Sequence, residues 1–381
     1  MIEVCAGEAH AWLQRYRGKR PAFACILSFT DTGLISGISA AGQTRADRCH
    51  TAAKDGNFLL SDCTLDHQLP RLPAGISPAI ITRAVLRSLS IRSQLFNTGL
   101  PTALLVPHTA LPSDAFPNGT FSNGLTNGPI NGFRGGPIVT GRAMSIAAAQ
   151  ALFAVGQRWG QQIAPLSSYW VIGECVVGGT TTAQAILTAL GYDVNGRISS
   201  SHLMGNHLQK QKLVAQGLAA WKLRLDEEDE PLLASPLGVA SAIGDPMQIV
   251  VAGMILAVSQ RSGVLLAGGA QMLAVYALAK ALAQQYQIVW RAEELVVGTT
   301  RWVIEDKSAD TVAIAQQIKA PYLASQIDFS RSPYVQLRAY EQGFVKEGVG
   351  AGGCAIAAYL YQQWSASQLR HAVEAELRQA F

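Results

Sequence analysis

Short apolar runs rich in β-branched residues alternate with glycine-bearing turns and alanine-rich helical stretches along most of this chain, and that alternation decides its architecture. Runs at 22–29, 102–106, 169–172, 264–266, 287–290 and 295–298 have strand character, and the stretches 145–162, 181–190, 207–222, 246–260 and 271–285 have helical spacing. A strand, a glycine turn and a helix in repetition build a parallel sheet with helices on both faces. Ligands in such sheets bind at the carboxyl ends of the strands, where glycine loops open helices.

A sheet buried on both faces needs apolar mass, and the composition supplies it. Of 381 residues 49% are hydrophobic and 15% charged, against about a quarter charged in an average soluble domain. Such a chain is not disordered, and a homodimer interface is expected to hide part of its apolar surface. Thirty basic residues against 26 acidic ones give a net charge of +4 with no Lys/Arg-rich run, which excludes a nucleic-acid surface. The six cysteines lack CxxC or metal-ligand spacing, and the first 20 residues carry charges where a signal peptide is apolar. Both features imply free thiols and a cytoplasmic protein. Residues 263–284 approach the length of a membrane span, but Gly268-Gly269, Gln271 and Lys280 interrupt them. They read as a buried strand, a glycine turn and a core helix, with no membrane partner. Residues 112–137 carry four Asn-Gly pairs, at Asn118, Asn123, Asn127 and Asn131. They form an exposed loop on the plain reading and an active-site flap on the functional one. The acidic run 226–230 reads as a solvated turn and 363–381 as a charged terminal helix.

Three segments carry chemistry. In 171–183, VIGECVVGGTTTA, an apolar strand ends at Gly173, a loop follows, and a helix begins at the threonines. Amides at a helix N-terminus beside Thr hydroxyls form an anion site, with phosphate the natural ligand. The pattern is neither a Walker A loop nor a dinucleotide fingerprint, and an ordinary βα turn capped by Thr fits it equally well. Glu174 favours function, since a carboxylate beside an anion site is costly unless it has work to do. In 344–353, FVKEGVGAGG, glycines surround Glu347 and lead into an apolar helix at 354–361. Glycines admit a ligand close to the backbone and the acid can serve as a base, or the segment is a close-packed helix start. In 196–201, GRISSS precedes Lys210, a lysine able to neutralise a phosphate or else a plain surface charge. His202 and His207 have a poor spacing for a metal site.

These residues support a resemblance. GECVVGGTTTA at 173–183 resembles the GEMGIGNTTTA motif of the nicotinate-nucleotide:dimethylbenzimidazole phosphoribosyltransferases, and KEGVGA at 346–351 resembles their LGEGTGA motif. Order and separation agree. TGRAMS at 140–145 is similar to a family segment ending in PAMS, and 253–268 to a helix and strand ending in VVLDG. Residues 321–332 stand where the family has a Ser-His loop, and FTDTG at 29–33 is faintly similar to AGDHG. The likeness runs collinearly over about 22–360, and the KEGVGAGG form is closest to a divergent branch of the family.

The resemblance implies a Rossmann-like α/β enzyme: a domain over 21–334, and a small helical part from 1–20 and 335–381. It implies transfer of phosphoribosyl from nicotinate mononucleotide to dimethylbenzimidazole or a similar base, with inversion to an α-riboside, in cobalamin nucleotide-loop synthesis. By motif position Glu347 is the general base and Glu174 an acid near ribose and phosphate. The amides of Val176, Gly178 and Gly179, with Thr180 and Thr181, form the phosphate loop, and Lys210 is its lysine. Gly348, Gly350 and Ser325 belong to the base-site loops. No cofactor or metal is implied. The chain departs from the family at Val176, at Gly179 in place of Asn, at Ala267 in place of Asp and at Gln326 in place of His. Ribose and phosphate chemistry is therefore better supported than the identity of the base. The alternatives are a non-catalytic nucleotide-binding or sensing protein, and a phosphoribosyltransferase or hydrolase acting on another base such as adenine.

Overall fold

The computed structural model describes residues 2–3, 6–61, 69–70, 72, 74–111, 132–203 and 205–379. Most of the Asn/Gly-rich loop expected at 112–137 lies outside the described residues, as do Cys5 and Cys63. Among the described residues eight strands form one sheet: β1 (Ile2–Glu3), β2 (Ala22–Leu27), β3 (Arg92–Asn97), β4 (Thr109–Ala110), β5 (Tyr169–Cys175), β6 (Gly263–Ala267), β7 (Leu295–Thr300) and β8 (Tyr322–Ser325). Their order is β1-β8-β7-β6-β5-β2-β3-β4. Among the described residues only the β1–β8 pair is antiparallel. From β2 the chain runs outward through β3 and β4, then returns to the other side of β2 and runs outward again from β5 to β8. The order thus reverses between β2 and β5, and a crevice opens at their carboxyl ends.

Side chains alternate across the sheet as the two-residue strand period requires. On β2, Ala22, Ala24 and Ile26 join one hydrophobic cluster while Phe23, Cys25 and Leu27 join the other. Trp170 and Ile172 on β5 likewise face away from Tyr169 and Val171. The first cluster is closed by helices Ile146–Ile163, Gly179–Ala189, Pro236–Ile243, Pro246–Val258 and Ala270–Tyr286. Helix Pro246–Val258 is buried at every position and begins with a capping box, Asp245 with Gln248, and Pro246 in its first turn. A helix apolar all round must lie inside, and here lies much of the apolar mass read from composition. The second cluster is closed by helices Ala6–Tyr16, Ala79–Ser88, Ala351–Gln362 and Ala366–Arg378. The two chain ends therefore form a layer of the same sheet sandwich. Among the described residues no helix is long and apolar enough to cross a membrane.

Two expected strands are absent. The run 102–106 lies between Pro101 and Pro107, neither of which can donate to a ladder. Its Leu105 is 83% exposed, and the Leu105 N–H is taken by the Asn57 side chain. The run 287–290 follows a left-handed cap at Gln287 and leaves Val289 81% exposed. Conversely β3 escaped sequence reading because its first three residues, Arg92, Ser93 and Gln94, are polar and only its last three are buried.

Candidate active site

Strand β5 ends in Glu174-Cys175, and the chain then turns through Gly178, at φ +88°, into helix Gly179–Ala189. The turn is pressed against the segment after β2: a side chain at Gly33 would strike the Val177 carbonyl, and one at Gly178 would strike Gly33. The Gly179 N–H donates to the Val176 carbonyl, and the N–H groups of Thr181 and Thr182 converge on the Gly178 carbonyl. Thr182 Oγ1 donates to Asp245 Oδ2 at 2.6 Å, tying the helix to the buried cap of the next one.

The second glutamate motif has an unusual backbone. Val345, Lys346, Gly348, Val349 and Gly350 all have φ between +54° and +153°. For β-branched valines this is a genuine outlier, and such residues persist only where their surroundings over-determine them. The surroundings do so here. Lys346 Nζ meets Asp306 Oδ2 at 2.9 Å and donates to the carbonyls of Ser200 and His202. Thr300 Oγ1 donates to the Lys346 carbonyl at 2.6 Å and Thr82 Oγ1 to that of Val349 at 2.8 Å. The Val349 N–H donates to the Glu174 carbonyl at 3.0 Å. Gly350 abuts Gly173 so closely that a Cβ on Gly173 would lie 3.0 Å from the Gly350 Cα. The two motifs, 173 residues apart from Glu174 to Glu347, are thus fastened together by their backbones.

The two carboxyl groups are held differently. Glu347 Oε2 accepts from Thr299 Oγ1 at 3.0 Å and the Thr300 N–H at 2.8 Å, and Oε1 accepts from the N–H groups of Gly348 and Gly352 at 3.1 Å each. Burial raises its pKa and these four donors oppose the rise. The donors orient the group and offset part of the burial, whose effect still prevails and leaves its pKa raised. Glu174 is 3% exposed. Its Oε1 accepts from Gln271 Nε2 at 2.8 Å, and Oε2 has no partner among the described residues. Burial, followed by the charges of Asp245 and Glu347, pushes its pKa up to about 8. The raised pKa favours the neutral acid at neutral pH, which weakens the expected repulsion between a carboxylate and an anion in the adjacent turn.

Both glutamates line a cleft of about 880 Å³, part of it open to solvent. Of the other residues singled out in the sequence, Val176, Gly178, Gly179, Thr180 and Gly348 line it too. Lys210, Thr181, Gly350 and Ser325 do not. Lys210 is fully buried, its Nζ 3.4 Å from the Ser199 carbonyl, and desolvation with the nearby Lys346 charge lowers its pKa to about 7. Gly350 serves the packing on Gly173, and Ser325 pairs in register with Thr300 at the end of β8. Sequence reading missed Lys346, Gln271 and Asp55, all in the cleft wall. Asp55 stands in the stripe of Ala52, Gly56 and Leu59 on helix Arg45–Leu60; an acid in an apolar helical stripe was the available signal. Among the described residues no group of three or more His, Cys, Asp or Glu is arranged to hold a metal ion.

Comparison with known proteins bears on the fold and the family. A family model described as Phosphoribosyltransferase matches residues 133–295. The fold is that of CobT from Thermus thermophilus (TM-score 0.59, 17% identity, covering 96% of this chain and 90% of that one). A nicotinate-nucleotide-dimethylbenzimidazole phosphoribosyltransferase from the same organism superposes with a TM-score of 0.56 at 16% identity, covering 97% and 89%. The fold is thus that of a CobT-like α/β protein. A UPF0284 protein of Cyanothece sp. (strain PCC 7425 / ATCC 29141) is 50% identical over 96% of this chain and 94% of its own length. Another, from Microcystis aeruginosa (strain NIES-843 / IAM M-2473), is 49% identical over 95% and 94%. The chain belongs to the UPF0284 family, and its fold is the CobT fold.

Proposed function

We propose that this protein transfers the phosphoribosyl group of nicotinate mononucleotide to a nitrogen base, releasing nicotinate and forming an α-riboside of the kind used in the cobalamin nucleotide loop. The observation that carries this reading is the joining of the two glutamate motifs, through the Val349–Glu174 hydrogen bond, in one cleft beside a helix N-terminus. The phosphate is received by the turn at Gly178 and the Thr180 hydroxyl, where the helix dipole favours an anion. Protonated Glu174 donates to a phosphate or ribose oxygen through its unpartnered Oε2.

In the reaction the C1′–N bond to nicotinate breaks and a C1′–N bond to the entering base forms on the opposite face. Nicotinate leaves as a neutral pyridine ring and needs no acid. The entering nitrogen sheds its proton to Glu347, oriented by four donors and with a pKa raised by burial toward the working range of a base. Thr299 suits this role: its hydroxyl donates to the ionised carboxylate and can turn to accept once Glu347 is protonated, which the three N–H donors cannot do.

The test is incubation of the purified protein with nicotinate mononucleotide and a panel of bases, following nicotinate release and the anomer formed. Base-dependent release with an α-riboside product is expected, and Glu347→Gln should reduce it by about 10²–10⁴-fold while nucleotide affinity holds. Tight nucleotide binding with no turnover for any base would replace the transferase reading with a sensing one. Release without any base would mean hydrolysis.

A further inference from the structure

We infer that Asp55 reads the acceptor base, and that the base is a heterocycle carrying an amino group beside a ring nitrogen. This rests on the transferase reading above and names the substrate class of the same site. Pro70, Leu72 and Pro78 line the cleft together with Asp55, which Ser77 ties to the chain beside Pro78. An apolar wall with one carboxyl suits a flat ring that presents a hydrogen-bonding edge. Gly348 lies against Pro78, with 3.7 Å from its Cβ position to the proline ring. That contact sets the wall beside the Glu347 loop, where the entering nitrogen loses its proton.

Asp55 is 3% exposed and forms no ion pair among the described residues. Ser77 Oγ donates to Oδ1 at 2.6 Å, and Oδ2 receives only the Cys175 thiol at 3.4 Å. A carboxyl has about four acceptor sites and a thiol is a weak donor, so a buried acid in the cleft wall is left under-satisfied. Such a group is costly to bury unless a ligand completes it. Burial also pushes its pKa up to about 7. Near neutral pH the carboxyl therefore exists in both forms, and in its acid form it both accepts from an amino N–H and donates to the adjacent ring nitrogen. Adenine offers that edge on its six-membered ring, away from the imidazole nitrogens. The methyl groups of 5,6-dimethylbenzimidazole offer neither partner and would leave Asp55 desolvated.

The test compares adenine with 5,6-dimethylbenzimidazole in wild type, Asp55→Asn and Asp55→Leu. Two readouts are taken: kcat/KM for nicotinate release, and calorimetric binding of each base to the nucleotide-loaded protein. Wild type is expected to prefer adenine, and Asp55→Leu to lower the adenine-to-dimethylbenzimidazole ratio by about 10- to 100-fold. Asp55→Asn, which keeps one acceptor, should retain part of the preference. Unchanged nicotinate mononucleotide affinity shows that a variant is folded. A wild-type preference for dimethylbenzimidazole, or a ratio that Asp55→Leu leaves unmoved, overturns the inference while the transferase reading stands. Adenine binding that Asp55→Leu abolishes, without turnover for any base, upholds the role of Asp55 and overturns the transferase reading. Failure of adenine to bind or react overturns the inference whatever other bases do.

Discussion

Replacing Glu174 by Gln gives the sharpest test of the electrostatics. Folding carries this carboxyl from an ordinary value of 4.5 to about 8. Between those values the native state holds a proton that the unfolded chain has released, so stability falls as pH rises through the interval and levels off above it. A displacement of that size corresponds to about 4–5 kcal/mol once fully developed. Gln is nearly isosteric, carries no charge at any pH, and keeps an oxygen to accept from Gln271 Nε2 as Glu174 does. Urea unfolding of both proteins at several pH values should give nearly equal stabilities near pH 4.5. The advantage of Glu174→Gln should then grow by about 1.4 kcal/mol per pH unit up to pH 8. Asp55 and Asp245 are raised as well, to about 7 and 6, chiefly by burial. Wild type and variant therefore both lose stability with rising pH, and the informative quantity is their difference. A difference independent of pH would refute the reasoning, because Glu174 would then titrate alike in both states. The same variant divides two chemical roles at pH 7. A Gln amide can replace a neutral hydrogen-bond donor, so turnover should fall by less than about tenfold, whereas loss of a transition-state anion would cost about 10²–10³-fold.

Two further outcomes follow from the Glu347 loop. Thr299→Val removes the reversible hydroxyl but none of the N–H donors, so kcat should fall by about tenfold with little change in KM; steady-state kinetics showing only a KM effect would place Thr299 outside proton transfer. Lys346→Met breaks an ion pair whose two side chains are each 5% exposed and leaves the Asp306 charge with only the neutral donors of Ser199 and Ser308, at a cost of about 3 kcal/mol. Urea unfolding should register that loss, and Lys346→Met combined with Asp306→Leu should recover much of it.

The parts of this fold that could be read from the sequence are those whose residues are buried on both sides. Strands β2, β5, β6 and β7 and helices Ile146–Ile163, Gly179–Ala189, Pro246–Val258 and Ala270–Tyr286 announce themselves because apolar residues dominate their buried positions, whereas Pro236–Ile243, eight residues long, was not expected. Strand β3 did not, since its polar first half leaves no periodic signal, and β8 has only four residues. The two glutamates were legible because glycines isolate them. The groups that set their behaviour were not: Thr299 and Thr300 end strand β7, and Gln271 opens the helix that follows β6. Only the folded chain brings those donors to the carboxyl groups. Lys210 illustrates the converse. Its helix register resembled that of a phosphate lysine, but helix packing turned the side chain inward, onto the Ser199 carbonyl.

The departures from the family pattern are intelligible once neighbours in space are considered. Where the resembled motif has Asn this chain has Gly179, and a Cβ there would overlap the Gln271 amide. That amide comes from the following βα unit, fills the vacated space and donates to Glu174. Where the resembled strand ends in Asp this chain has Ala267, whose Cβ packs against Gly353 and Gly350. An acid there would collide with the helix that follows Glu347. The small residue lets that helix descend far enough for the Gly352 N–H to reach Glu347 Oε1. Both substitutions therefore serve the positioning of the two glutamates by other means. The region with no counterpart in the resembled motifs, helix Arg45–Leu60 and its Asp55, forms the wall where an acceptor base would lie. Under the transfer reaction proposed above, rebuilding that wall would change which base is accepted and leave the chemistry at ribose and phosphate as it is.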